Sequence, residues 1–367
     1  MKNFLRQIVK ILNAKWIISK PKKRKVLIFD GVGTPIIYKI FNKNECEILY
    51  TRYEKINFYI FFLTIIKTGF QNLKNQYKIN FIKFISPKFV VTAIDNDITF
   101  YKLKNIYSDP CYISIQNGCR SNNYLFFKNN SNLTDSFNVD YFFVFGDTVK
   151  KKILENFKFN MITAGSVLNN HYISNYDQNK ENNSVLFISQ FQNTRRFPEN
   201  ERIVFNILYN FCKKKKLSLS ILPKDVSEKH LRKNLINGHW KYLNKNNNSS
   251  YFFLNKFKMI VFIDSTLGYE ALSRRIKCAC FPYGCLDDDW VNKNQLIPPI
   301  PFGYPGNYED VGPFWSNMRN NQTVEEILEK VFGYSNEEWK DIIGKFVSNI
   351  MHYDTGNSII NKIINKN

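Results

Sequence analysis

The chain alternates short apolar runs with longer stretches in which hydrophobic residues recur at helical spacing. In the first half, the apolar runs have the length and composition of strands that are buried on both faces. They lie at residues 25–30, 45–50, 88–94, 111–116, 140–145 and 161–164, with a helix expected at residues 56–69. Because parallel strands need crossover connections, which are usually helical, this half predicts one parallel sheet with helices on both faces.

The same pattern restarts after a polar stretch at residues 169–184. Strands are expected at residues 184–189, 217–222, 258–263 and 277–281, and helices at residues 199–216, 268–275, 324–331 and 336–352. The fold class predicted is therefore α/β, with two facing doubly wound parallel-sheet domains of the Rossmann-like kind. The expected boundaries are an N-terminal helix at 1–24, a domain at 25–168, a linker at 169–184, a domain at 185–335 and a C-terminal helix at 336–367.

The N-terminal segment combines basic residues with apolar residues at helical spacing. The apolar positions are Phe4, Ile8, Ile11, Leu12, Trp16 and Ile17. Such a basic amphipathic helix can lie on an anionic membrane surface, or it can pack on its own domain. The segment lacks the continuous apolar core of a secretory signal, and the apolar stretch at residues 56–66 is far shorter than a membrane-spanning helix. We therefore expect a cytoplasmic protein, with peripheral contact at the inner face of the cell membrane as a further hypothesis.

Composition narrows the class of protein. The 367 residues include 52 Lys plus Arg and 31 Asp plus Glu, a net charge of +21, which favours anionic partners. A basic nucleic-acid-binding protein is one alternative, but the basic residues are dispersed and no nucleic-acid-binding motif occurs, so we expect no nucleic acid partner. The seven cysteines are odd in number and are spread without a disulfide framework, which indicates a reducing compartment. Cys278, Cys280 and Cys285 could hold a metal ion. Cys278 and Cys280 would, however, lie on the same face of an expected buried strand, which makes a packing role the alternative.

Polar residues follow three of the expected strands in the first half. They are Asp30, Gly31 and Gly33, then Asp95, Asn96 and Asp97, then Gln116, Asn117, Gly118 and Arg120. Because the carboxyl ends of parallel strands share one edge, these groups could bind a polyhydroxylated acceptor and supply a general base. Each could equally be a helix cap or a turn residue. The pair Asp95 and Asp97 has the DxD spacing of some metal sites, and residues 287–289 form a second acidic triplet.

The second half carries a more specific pattern. Asp264, Ser265 and Thr266 follow an expected buried strand and begin a helix that contains Gly268 and Glu270. The N-terminus of such a helix binds phosphate groups, and a carboxylate one turn later could accept hydrogen bonds from a ribose diol. Three residues that follow other strands of this half would lie on the same edge, namely Ser189, Gln190 and Lys224. A plain capped helix is the structural alternative.

Five segments resemble the bacterial surface carbohydrate biosynthesis proteins. They are KVLIFD (25–30), AIDND (93–97), ISIQNGCR (113–120), FISQF (187–191) and IDSTLGYEALSRRIK (263–277). That family is similar to GT-B glycosyltransferases that use CMP-activated acidic sugars such as Kdo and nonulosonic acids. The last segment also resembles capsule and teichoic-acid polymerising transferases. Where relatives carry a His-Pro pair after the second strand of the C-terminal domain, this chain has Pro223 and Lys224.

The resemblance implies a metal-independent glycosyltransferase of surface-glycan biosynthesis without a bound cofactor. The domain at 25–168 would bind a glycan or lipid-linked acceptor, with Asp30, Asp95 or Asp97 as the base. The domain at 185–335 would bind the nucleotide-sugar donor, preferably CMP-linked, through the strand-end residues of the second half. The alternatives are a polyol-phosphate or UDP-sugar transferase on the same fold and a non-catalytic carbohydrate-binding protein.

Overall fold

The computed structural model of the chain describes residues 11–69, 72–119, 137–154, 160–172, 181–190, 198–224, 226–235, 238–244, 249–282, 300–318 and 320–366. The strands, in chain order, are β1 Lys15–Ile17, β2 Val26–Phe29, β3 Cys46–Leu49, β4 Lys55–Asn57, β5 Phe89–Thr92, β6 Cys111–Ile115, β7 Tyr141–Val144, β8 Met161–Thr163, β9 Glu181–Ile188, β10 Ser218–Leu222, β11 Lys241–Tyr242, β12 Phe257–Phe262 and β13 Cys278–Cys280.

Helices connect these strands. They are α1 Thr34–Ile37, α2 Phe58–Thr68, α3 Leu73–Ile85, α4 Ile98–Tyr101, α5 Asp147–Leu154, α6 Val167–His171, α7 Pro198–Lys215, α8 Glu228–Asn234, α9 Tyr251–Leu254, α10 Thr266–Ser273, α11 Asn321–Gly333, α12 Asn336–Phe346 and α13 Ser358–Lys366. Short 3-10 turns at Gly31–Gly33, Lys43–Glu45 and Thr355–Asn357 join some of them.

The first sheet has the strand order β3-β2-β5-β6-β7-β8, and every pair is parallel. All four residues of β2 and of β5 are buried, because helices cover both faces of the sheet. The direction of strand addition reverses between β2 and β5. In open parallel sheets, ligands bind beyond the carboxyl ends of the strands at such a switch point.

The second sheet has the order β11-β10-β9-β12-β13 and is also parallel. Its switch point lies between β9 and β12, whose residues 185–188 and 259–262 are buried in the main hydrophobic core. Cys278 and Cys280 are fully buried in β13, as the strand interpretation predicted. The prediction of two doubly wound parallel sheets is therefore confirmed.

Three expectations about the ends and the middle of the chain need correction. The N-terminal helix cannot extend to residue 24, because β1 pairs in parallel with β4 and joins Trp16 to Ile56; residues 1–10 lie outside the described residues. The polar linker is shorter than expected, because residues 169–171 belong to α6 and residues 181–184 to β9. The C-terminal segment is two helices, because α12 ends at Phe346 and α13 follows a turn.

The chain returns to the first sheet after α12. The backbone N–H of His352 donates to the Phe145 carbonyl at 2.8 Å, and that of Asp354 donates to the Asn170 side chain at 2.9 Å. Ile360 of α13 is then fully buried in the core of the first sheet. This crossing fastens the two sheets together at their carboxyl edges.

Candidate active site

A cavity of about 410 Å³ lies at the switch point of the first sheet, beyond the ends of β3, β2 and β5. Its walls are formed by Asp30, Thr51, Arg52, Lys74, Lys78, Ile94, Asn96, Asp97, Ile98 and Thr99. The structure thus brings together three of the predicted residues, Asp30, Asn96 and Asp97. Three basic side chains line the same cavity, those of Arg52, Lys74 and Lys78. Asp95 is fully buried beside this cavity and is not among the residues that line it.

Asp30 is bonded through both of its carboxylate oxygens. Oδ1 accepts the Val32 N–H at 3.0 Å, and Oδ2 accepts the Thr51 hydroxyl at 3.0 Å and the Arg52 Nε–H at 2.8 Å. Its backbone has a φ of 78°, a left-handed conformation that is rare for a residue with a side chain. The carboxylate of Asp30 therefore holds the turn at residues 31–33 and orients the guanidinium of Arg52 at the cavity.

Asp97 caps α4 and faces the cavity with a partly exposed side chain. Its Oδ1 accepts the Thr99 N–H at 2.9 Å and the Thr99 hydroxyl at 2.7 Å. The buried Nζ of Lys78 donates to the same hydroxyl at 3.1 Å. Burial lowers the pKa of Lys78, while the charges of Asp97 and Asp30 oppose that change. A chain of hydrogen bonds thus runs from the Lys78 ammonium through the Thr99 hydroxyl to the Asp97 carboxylate.

The residues predicted to bind an acceptor after β6 have mainly structural contacts. Gln116 is buried, donates its amide to the Gly118 carbonyl at 3.1 Å and accepts the Phe145 N–H at 2.8 Å. Both ends of the amide thus hold the loops after β6 and β7, and a part in acceptor binding stays a prediction. Asn117 is half-buried, and Arg120 lies outside the described residues.

The two predicted glycines of the first sheet are packing positions as well. A Cβ at Gly31 would meet the Tyr50 ring at 2.8 Å, and one at Gly33 would meet the Ala93 Cβ at 3.1 Å. Both glycines let the turn after β2 lie close to neighbouring strands. Neither glycine is among the residues that line the cavity, and their predicted part in acceptor binding stays a prediction.

At the second sheet, the end of β9 is held by a carboxylate that the sequence did not reveal. The Ser189 hydroxyl donates to Oε1 of Glu201, and the Gln190 N–H donates to Oε2 of the same residue at 3.1 Å. Glu201 is buried on α7. The predicted donor-binding residues Ser189 and Gln190 are therefore fixed at the switch point, while Lys224 is exposed after β10.

The helix α10 begins at the other side of this switch point. Ser265 occupies the N-cap position and, within the described chain, its side chain makes no capping hydrogen bond. Thr266 Oγ1 accepts the Cys119 N–H at 3.1 Å, which joins α10 to the loop after β6. Gly268, which was predicted to bind the nucleotide, packs closely on Phe262, because a Cβ there would meet the Phe262 ring at 2.2 Å.

Glu270 is buried where the two halves of the chain meet. Its carboxylate accepts the hydroxyl of Ser166, from the N-cap of α6, and the hydroxyl of Tyr251 at 2.7 Å. Burial raises the pKa of Glu270 to about 7, while these hydrogen bonds and the charge of Arg274 oppose the rise. Glu270 was predicted to bind a ribose diol; in this conformation both of its carboxylate oxygens are bonded within the protein.

Arg274 extends the same contact. Its Nε–H donates to the Asn169 side chain at 2.6 Å, and its terminal amino group donates to the Asn169 and Tyr172 carbonyls at 2.5 Å. Asn169 also donates to the Ser273 hydroxyl at 2.9 Å. These charge-assisted bonds and the Glu270 contacts make one polar interface between α6 and α10.

Sequence reasoning could have found Thr51 and Arg52, because they directly follow the strand expected at residues 45–50. Glu201, Ser166 and Tyr251 carried no comparable signal. Within the described residues, no group of three or more His, Cys, Asp or Glu side chains is arranged to hold a metal ion. The acidic triplet at residues 287–289, Phe191 and Cys285 lie outside the described part of the chain.

Comparison with known proteins places this geometry in context. A family model described as "putative O-antigen biosynthesis protein" matches residues 113–199 and 194–367, well over half of the chain. No curated protein sequence matches significantly.

Solved structures share the fold. A variant of the wall teichoic acid polymerase TagF soaked with CDPG has a TM-score of 0.51 at 12% identity, covering 94% of this chain and 89% of that one. UDP-GlcNAc 2-epimerase from Neisseria meningitidis, bound to UDP-GlcNAc, has a TM-score of 0.54 at 12% identity, covering 93% and 99%. The enzyme of that name from Methanocaldococcus jannaschii has a TM-score of 0.51 at 11% identity, covering 93% and 99%. The two-sheet architecture is that of GT-B glycosyltransferases and epimerases.

Proposed function

This chain belongs to the family of O-antigen biosynthesis proteins, and from that premise we propose that it is a glycosyltransferase of surface-glycan assembly. The observation that carries the proposal is the pair of switch points, one in each sheet, both surrounded by polar strand-end groups. The contacts between Cys119 and Thr266 and between Ser166 and Glu270 hold these two edges together. Two substrates bound at the two edges would meet between the sheets.

The nucleotide-sugar donor would bind at the second sheet. The N-terminus of α10, with the N-cap Ser265, would bind the phosphate, because backbone N–H groups there have no acceptor inside the helix. Lys224 would add positive charge, and Glu201 would hold the β9 loop in place for the base or ribose. CDPG and UDP-GlcNAc, which the solved neighbours contain, make pyrimidine nucleotides the class to test first. Within that class, we propose a CMP-linked acidic sugar as donor.

The acceptor would bind in the cavity of the first sheet, with Asp97 as the general base. Of the three predicted aspartates, Asp97 lines the cavity and has one carboxylate oxygen outside the Thr99 contacts described above, whereas both oxygens of Asp30 are bonded. An acceptor hydroxyl would attack the anomeric carbon as its proton passes to Asp97. The bond from the anomeric carbon to the phosphate oxygen would break, and the nucleotide would leave with the electron pair. The N-terminus of α10 and Lys224 would stabilise the phosphate charge without a metal ion.

Glu270 has a conditional part in this proposal. The Glu270 carboxylate can accept ribose hydroxyls only if Ser166 or Tyr251 gives up its hydrogen bond to one of the carboxylate oxygens. Donor binding would then loosen the contact between α6 and α10, so that nucleotide binding and the separation of the two sheets would be coupled. Domain movements that accompany substrate binding are common in enzymes.

Calorimetric titration with CMP, CDP, UDP and GDP tests the donor site. We expect Ser265→Ala to lower the affinity for the preferred nucleotide severalfold. Ser335→Ala is the matched control, because Ser335 is also an N-cap serine but begins α12. Equal affinity in wild type and Ser265→Ala would contradict the assignment. A UDP preference would keep the site and change the donor, and conversion of UDP-GlcNAc to its 2-epimer would replace the transferase proposal.

A further inference from the structure

The helix α2 presents an apolar ridge to solvent. Phe58, Phe62 and Ile66 are spaced four residues apart and lie on one side of the helix, with exposures of 50%, 54% and 66%. The opposite side of α2 packs into the core through the fully buried Ile60 and Thr64. A helix with one face in the core ordinarily turns polar residues to water, so this second apolar face needs a partner.

The strand β1 extends this ridge. The Trp16 ring lies 6.1 Å from that of Phe58 and 5.2 Å from that of Phe61, and Phe58 stacks on Phe62 at 6.2 Å. Leu12 and Ile18, on either side of Trp16, are 72% and 81% exposed. Trp16, Phe58 and Phe62 are thus connected by ring contacts. Together with the exposed apolar residues of the same two segments they make the surface that we call the aromatic face, defined by Leu12, Trp16, Ile18, Phe58, Phe62 and Ile66.

The two segments that build the aromatic face are basic. The segments 11–24 and 55–69, which build it, contain seven basic residues and no acidic residue: Lys15, Lys20, Lys22, Lys23, Arg24, Lys55 and Lys67. The exposed Glu54 stands directly before the second segment and accepts the Arg52 N–H. A second copy of this face would therefore be repelled by like charge, whereas an anionic partner would be attracted.

We propose that the aromatic face docks the protein on a bilayer that contains anionic lipids. Exposed aromatic and aliphatic side chains with lysines around them have the chemistry of a membrane–water interface. None of the described helices combines the length and the apolar character that a membrane crossing requires. The contact would thus be shallow, with the rings among the lipid headgroups and the lysine ammonium groups against lipid phosphates.

Docking through this face would bring the acceptor cavity close to the lipid surface. The cavity residue Arg52 lies in the turn between β3 and β4, and β4 leads directly into α2. An acceptor anchored in the bilayer could then reach the cavity without leaving the membrane. The docking itself does not depend on the proposed function, because none of the residues of the aromatic face lines the acceptor cavity.

Flotation of the full chain with vesicles tests the proposal. Vesicles of phosphatidylcholine with 30% phosphatidylglycerol should carry the wild-type protein, and pure phosphatidylcholine vesicles should carry at least tenfold less. The triple variant Phe58→Ser, Phe62→Ser, Ile66→Ser should float at least tenfold less with the anionic vesicles. Phe252→Ser is the matched control, because Phe252 is also an exposed phenylalanine, at 53%, but lies in the second half of the chain. Melting temperature and nucleotide affinity should not differ between these variants.

Several outcomes would overturn the proposal. Equal flotation of the triple variant and the wild type is one, and failure of the wild type to float with anionic vesicles is another. Loss of flotation in Phe4→Ser, Ile8→Ser, with the triple variant unchanged, would assign binding to the N-terminal residues instead. A wild-type dimer that the triple variant converts to monomer, without vesicle binding, would make the face a contact between copies. The quenching of tryptophan fluorescence by brominated lipid should also be weaker in Trp16→Phe than in the wild type. This measurement reports contact between Trp16 and the lipid and does not depend on a change in folding.

Discussion

The buried carboxyl of Glu270 allows a quantitative prediction about pH. Burial raises its pKa from 4.5 to about 7 in the folded protein, so between these values the folded state holds a proton that the unfolded state has released. The contribution of Glu270 to the free energy of unfolding is therefore greatest at or below pH 4.5 and is lost as the pH rises through 7. From the linkage between proton binding and folding, the free energy of unfolding should fall by roughly 2–3 kcal/mol between pH 5 and pH 8.

The variant Glu270→Gln isolates this contribution. The amide has the shape of the protonated carboxyl and can still accept the Tyr251 hydroxyl, so it should match wild type near pH 5. At pH 8 the free energy of unfolding of the variant should exceed that of wild type by roughly 2–3 kcal/mol. Urea denaturation at both pH values measures the difference, and the exposed Glu337→Gln serves as control. A wild-type-to-variant difference that stays constant between pH 5 and pH 8 would refute the reasoning.

Three further predictions concern the two sheet edges. Asp97→Asn should lower transfer kcat by about 100-fold or more, with nucleotide affinity unchanged by calorimetry; normal turnover would exclude Asp97 as the base. Arg52→Ala should raise the acceptor KM and leave Asp30 buried without its cation, lowering the melting temperature; an unchanged KM would remove Arg52 from the acceptor site. Gly268→Ala should lower the free energy of unfolding, measured by urea denaturation, by about 1–3 kcal/mol, because the new Cβ would overlap the Phe262 ring. An unchanged free energy of unfolding would contradict the packing role.

The sequence allowed most of the strands to be located. The run at residues 25–30 became β2, Val26–Phe29, because only a strand covered on both faces is apolar at every position. The same reasoning failed at Trp16, whose helical spacing hid its pairing with Ile56 in β4. Pairing between distant segments depends on the tertiary structure, and local periodicity does not encode it. The return of α13 to the first sheet was missed for the same reason.

The candidate site could be predicted in position and only partly in detail. Parallel strands end on a common edge, so Asp30 and Asp97 were expected together and do line one cavity. What each side chain does there depends on its neighbours. Glu270 meets Ser166 from the other half of the chain, and Gly268 meets the Phe262 ring. Such contacts are set by packing between elements, which spacing in one sequence cannot reveal.

Hydrogen–deuterium exchange with and without the tightest-binding pyrimidine nucleotide tests the central claim most directly. The account predicts slower exchange at the carboxyl ends of β9 and β12, in peptides that contain residues 187–190 and 263–268. Exchange in α6, around Ser166, should become faster if the nucleotide ribose takes over Glu270. Protection confined to the first sheet, or no protection with any nucleotide, would contradict a donor site at the second switch point.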